Sequence, residues 1–145
     1  MDARRALESG SGPQLLLWSA ASRQAIALCR QDGLPVWHAQ FRHGLVVDSA
    51  AAAAELAALQ AIVVAGRACR RAGIGVAILH LVIAGQHDLS MGAIHAAAFA
   101  EGLLLNLSVD DAAANPAVGH LNDRAPIFWR STSLDQLLYD PGRPL

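Results

Sequence analysis

The chain has 145 residues, enough for one domain with a core that needs no covalent staples. Its hydrophobic content is 54%, much of it alanine, and its formal net charge is −1, so bulk charge carries no nucleic-acid signal. Glycine, histidine or aspartate interrupts the longest apolar runs before they reach membrane-spanning length, so a soluble protein without a membrane partner is expected. All 11 basic residues are arginines; a GC-rich coding bias explains this as well as a need for planar phosphate-binding forks does. Cys29 and Cys69 are too few for a disulfide framework or a zinc site and read as small core residues in a reducing compartment.

Residues 1–13 read as an N-terminal arm. Met1 to Ser11 is too short and too acidic for a transit peptide. Gln14 to Ala20 is a strand or its lead-in. The next strand lies between Arg23 and Arg30, and Gln31-Asp32-Gly33 marks a hairpin turn. Leu34 to Phe41 returns, with Val36, His38 and Gln40 on one face and Trp37, Ala39 and Phe41 on the other. Arg42-His43-Gly44 closes the unit.

A helix, strand, helix and strand follow between Ser49 and Val109. Ser49 is the expected N-cap of the first helix, which ends in Arg67, Arg70 and Arg71 before Gly73. Cations there oppose the negative end of the helix dipole. Val76 to Ile83 is a nearly unbroken apolar run, the mark of a strand buried on both faces, and Gly85 breaks it. A second helix runs from about Ser90 to Glu101 and stops at Gly102; Leu103 to Val109 is the last strand. Asp110 to Pro126 is irregular, broken by proline, glycine and asparagine, and a loop that long is functional or disordered. Ile127-Phe128-Trp129 is apolar, and Leu134 to Tyr139 has room for one helical turn or two. The fold class expected is α/β, a mixed sheet with helices packed on it.

The order of these features resembles the universal small-subunit ribosomal protein number eleven family, over about residues 22 to 126. The matching residues are Gly33, Trp37, the corner Phe41-Arg42-His43-Gly44, the helix start at Ala50 to Ala58, Gly73, Gly85, Ala93, Gly102 and Asp110 or Asp111. The most specific stretch is His120-Leu-Asn-Asp-Arg124-Ala-Pro126. Departures are the segment Gly85-Gln-His-Asp-Leu-Ser90, where the family's glycine-rich phosphate loop carries an arginine, and the apolar tail in place of a basic one.

The resemblance implies a structural constituent of the small-subunit platform, at work in translation and not an enzyme, and a divergent version of mitochondrial or, alternatively, plastid type. Its partners would be small-subunit rRNA, neighbouring small-subunit ribosomal proteins and mRNA near the exit side. It implies RNA contacts at Arg42, His43, His120, Asn122, Arg124 and Arg130. It divides the chain into the arm, a domain over residues 14–126 and an extension over residues 127–145. Ile127, Phe128, Trp129 and Tyr139 in that extension are expected to dock on a neighbouring protein, since the sheet and two helices would close the core without them. The alternatives are a large-subunit ribosomal protein of the same fold, or a protein-binding adapter that lost its RNA.

The same topology also resembles ribonuclease H, so the sheet is expected to be ribonuclease H-like: a meander hairpin, then helix, strand, helix, strand, with an irregular C-terminal loop and tail. That enzyme needs carboxylates on the first strand, first helix and fourth strand to hold two metal ions. Only Glu55 on the first helix stands at such a place, so neither a metal nor another cofactor is expected. His80, His87 and His95 are spaced too widely for a zinc site and read as one packed and two surface histidines. No serine sits in an elbow motif that would make a hydrolase triad.

Overall fold

The structure, a computed structural model, describes residues 12–41, 47 and 49–142. Strand β1 (Gln14–Ala21) leads into β2 (Ala25–Cys29) and β3 (Pro35–Gln40), and the three form an antiparallel meander. Helix α1 (Ala50–Arg71), strand β4 (Ala77–Ala84), helix α2 (Met91–Ala100) and strand β5 (Leu103–Asp110) follow. Both β4 and β5 join in parallel, so the five-stranded sheet runs β3-β2-β1-β4-β5. The protein is thus α/β, with an open mixed sheet.

Local chemistry accounts for most boundaries. The Ser49 hydroxyl accepts the Ala52 N–H at 3.0 Å and starts α1. In the β2–β3 turn the Gly33 N–H returns to the Arg30 carbonyl, and Gly33 takes φ +87, the left-handed residue that a three-residue hairpin loop requires. Gly102 has φ +77, and a β-carbon there would run into the Gly75 carbonyl, so α2 turns into β5 through a position that admits only glycine.

The two sheet faces are covered differently. Leu15, Leu17, Leu28, Leu79, Leu81 and Ile83 face the helices. Helix α1 meets them with Ala57, Ala58, Ala61, Ala65 and Ala68, small side chains that let its backbone lie close to the sheet. By length and hydropathy α1 could cross a membrane, but 61% of that stretch is buried in the protein core. The apolar runs are therefore less interrupted than expected from the sequence; the helix is apolar because it is the core helix. Leu16, Trp18, Ala20, Ala27 and Cys29 face the other way, and Ala117 and Leu121 of the segment after β5 cover them.

Two expectations are corrected by packing. Val36 does not share a face with His38 and Gln40: a register shift between Leu28 and Cys29 turns it into the helix-side core beside Trp37. Nor does the core close without the tail. Leu137, in the single-turn helix α3 (Leu134–Leu137), is 0% exposed in the helix-side core. Leu138 bridges to Leu15, and the Tyr139 N–H donates to the Gln14 carbonyl at 2.9 Å. The Gln31 side chain then clamps both the N–H and the carbonyl of Asp140, at 2.7 and 2.8 Å.

Both cysteines are buried free thiols. Burial, with Asp123 and Asp32 adding to it, pushes the Cys29 thiol up from 9.0 to about 12. Burial also raises Cys69, against the opposing charge of Arg70. Below pH 9 the Cys29 thiol is protonated whether the chain is folded or not. Above it only the unfolded chain loses the proton, so between pH 9 and about 12 stability should fall by about 1.4 kcal/mol per pH unit from Cys29. Urea titrations of wild type and Cys29→Ala across that range should show a shallower slope in the variant; equal slopes would mean that the thiol ionises in place.

Candidate nucleic-acid interface

The segment after β5 is built by its own polar side chains. Asp111 accepts the Ala113 N–H at 3.3 Å and starts a 3-10 turn over Ala112–Ala114. Asn115 accepts the Ala117 N–H at 2.9 Å and starts a second over Pro116–His120. Proline and glycine do exclude α-helix and strand here, as the sequence implied, yet short 3-10 turns form because each needs only one cap.

Asn115 also fastens the segment to the sheet. It is 3% exposed, and its amide nitrogen donates to the Ser19 carbonyl on β1 and the Val82 carbonyl on β4, both at 3.2 Å. Gln40 adds a bond from its side-chain nitrogen to the Leu121 carbonyl at 2.7 Å. The result is a fixed platform carrying His120, Asn122 and Arg124. Asn122 and Arg124 are exposed. His120 has a local role that its sequence position did not reveal: its Nδ1 lies 2.6 Å from Asp123 Oδ2.

Arg130 stands elsewhere. It sits in the 3-10 turn Trp129–Ser131, with its guanidinium 4.7 Å from the centre of the Trp129 ring. Trp129 packs at 6.0 Å from Trp37 on the helix side of the sheet. The expected RNA residues are therefore split between the two sides of the sheet, and Arg42 and His43 lie outside the described residues.

The four expected protein-contact residues also separate. Trp129 packs on Trp37, and the Tyr139 ring lies tilted against His80 with ring centres 4.7 Å apart, so both make contacts within their own domain. Phe128 stays 78% exposed. With Ile127 it lines a 290 Å³ cleft that includes Leu34, Pro35 and Val36.

Among the described residues, the carboxylates and histidines are engaged in structural contacts or stand apart from one another. Glu55 Oε1 accepts the Ser90 N–H at 2.7 Å, so the carboxylate caps α2 from another helix, where Ser90 itself makes no side-chain cap. Ser19 of β1 pairs in register with Ile83 of β4, and both are buried. These strand positions hold a hydroxyl and a hydrocarbon, not carboxylates. The Ser19 hydroxyl is buried without a hydrogen-bond partner.

Among the described residues, no three His, Cys, Asp or Glu side chains converge on a point that could hold a metal. His80 bridges Gln14 Oε1 at 2.7 Å and Asn106 Nδ2 at 3.0 Å, which fits a neutral ring donating through Nε2, and burial lowers its pKa. His87 is half-buried and His95 exposed.

Sequence reasoning missed the bonds from Asn115 to β1 and β4 and the cap that Glu55 provides to α2. The only available signal was a polar residue without a nearby partner in the sequence. Comparison with models of protein families returns no match, and neither does comparison with curated proteins.

Proposed function

We propose that this chain is a structural RNA-binding protein of the small ribosomal subunit, of a divergent mitochondrial type, and not an enzyme. The observation that carries the reading is the platform built on Asn115. It holds the stretch from His120 to Arg124 in a fixed position and presents Asn122 and Arg124 to solvent. Such a display suits phosphate and sugar contacts, which position a protein on RNA without any reaction. The finer fold assignment goes with it: a meander followed by two parallel additions, in the order β3-β2-β1-β4-β5, supports a ribonuclease H-like sheet. With Glu55 engaged as a helix cap and Ser19 and Ile83 on the strands, that sheet serves as a scaffold.

The test is sedimentation of the native protein with the small subunit in high salt, beside filter binding of the purified chain to rRNA. Co-sedimentation is expected. So is weak binding by the lone chain at physiological salt, because its net charge is −1. Metal-dependent cleavage of an RNA–DNA hybrid that Glu55→Gln abolishes would overturn the reading.

A second reading, a protein-binding adapter on the same scaffold, is favoured by Leu34 and Phe128. They are 53% and 78% exposed beside one cleft. A native protein that never travels with ribosomal particles would select it.

A further inference from the structure

The last turn of α1 and the 3-10 turn of the tail meet through an unusual set of bonds. Arg67 Nε and an Arg71 terminal nitrogen both donate to one acceptor, the backbone carbonyl of Arg130. Two arginines four residues apart on a helix repel each other, yet both reach the backbone of Arg130, whose own guanidinium lies over the Trp129 ring. Helix-dipole relief accounts for cations at this end of α1 but not for their shared acceptor, which belongs to the tail.

Two other arginines have carboxylate partners. Arg70 bonds Glu101, and Arg30 bonds Asp32. Among the described residues, no carboxylate pairs with Arg67, Arg71 or Arg130. Each guanidinium has five N–H donors in a planar fork, and one bond to a shared carbonyl leaves most of the donors of Arg67 and Arg71 open to a ligand. Trp129 sits between Trp37 and the Arg130 guanidinium and holds the latter in place. A 160 Å³ cleft lined by Arg71, Ala68, Ala72, Ser133 and Leu134 opens beside the cluster.

We infer that Arg67, Arg71 and Arg130 form one binding surface for the phosphodiester backbone of RNA. It lies on the helix side of the sheet, separate from the platform that carries Asn122 and Arg124. The inference rests on the RNA-binding reading and deepens it by naming a second contact. Planar forks fixed by their own backbone and ring contacts match phosphate oxygens with little ordering left to do. The contact is to phosphate and reads no sequence.

The full-length chain, titrated with a single-stranded oligouridine at low salt, provides the test. The pair Arg67→Gln and Arg71→Gln together, and Arg130→Gln alone, should each weaken binding. All three replacements combined should raise Kd about tenfold or more and reduce the slope of log K against log salt by about 2, at roughly 0.7 for each phosphate no longer neutralised. Arg67→Lys with Arg71→Lys should restore much of the slope, because the charge returns. Arg30→Gln should bind as wild type, and circular dichroism melts should show every variant folded.

Unchanged affinity and slope in the triple variant would overturn the surface. So would failure of the wild type to bind the RNA, or binding to phosphatidylserine vesicles in its place. Co-sedimentation of the native protein with the small subunit judges the ribosomal reading separately. Particles that retain the triple variant would keep that reading and remove this surface.

Discussion

Deleting residues 127–145 should unfold the domain rather than leave it intact. The deletion takes Leu137 out of the helix-side core, where it is 0% exposed, and strips Trp129 from Trp37. It also removes the Leu138 bridge to Leu15 and the clamp of Gln31 on Asp140. A buried leucine alone is worth about 2–5 kcal/mol, against a total stability of about 5–15 kcal/mol for a domain of ordinary size. Leu137→Ala should therefore cost about 2–5 kcal/mol with folding retained, and the full deletion should abolish the cooperative melt. Thermal and urea unfolding of both proteins would decide it. A truncated chain that melts cooperatively near the wild-type midpoint would return the tail to the role of a docking segment.

Asn115→Ala should destabilise the domain strongly for a polar side chain outside the sheet. Its amide meets the carbonyls of Ser19 and Val82 and also accepts the Ala117 N–H, and it does so at 3% exposure. Truncation leaves buried backbone groups without partners, at about 1–3 kcal/mol for each one left unsatisfied. A total near 3 kcal/mol corresponds to a fall in melting temperature of about 10 °C in a domain of this size. Asn115→Asp should be worse at neutral pH, because a carboxylate would face two carbonyl oxygens with no proton to offer. The loop should loosen at the same time, seen as faster amide exchange over residues 112–121. An Asn115→Ala protein within about 0.5 kcal/mol of wild type, the range of an ordinary surface change, would show that Ala117 and Leu121 hold the segment without the amide.

The two replacements act on opposite faces of the sheet, and this bears on function. Asn115 supports the platform beneath His120, Asn122 and Arg124, while the tail holds Arg130 against Arg67 and Arg71. Loss of one surface need not disturb the other, so variants can assign binding to one side or the other.

Much of this architecture was legible in the residues. The alternation of strands and helices, the Ser49 cap, the hairpin turn at Gly33 and the helix stop at Gly102 depend on interactions within about four residues. A hydroxyl that accepts an N–H three residues on, or a glycine that takes a positive φ, is chosen by its nearest neighbours, and local chemistry determined these features. The buried thiols followed from composition in the same way.

Tertiary structure alone decided the rest. Ile127 to Tyr139 looks like a second apolar cluster when read along the chain. Whether Leu137 enters this core or a neighbour's depends on the space left between α1 and β1, which no local pattern encodes. Glu55 caps a helix that begins more than thirty residues later, and Asn115 bonds two strands that are neighbours only because β4 adds beside β1. Val36 changes face because of a register shift in the strand beside it. The three arginines on the helix side were no group in the sequence, since Arg130 reaches Arg67 and Arg71 only after the tail has packed. Local energies set the elements, and close packing of a finite core selected which distant side chains meet.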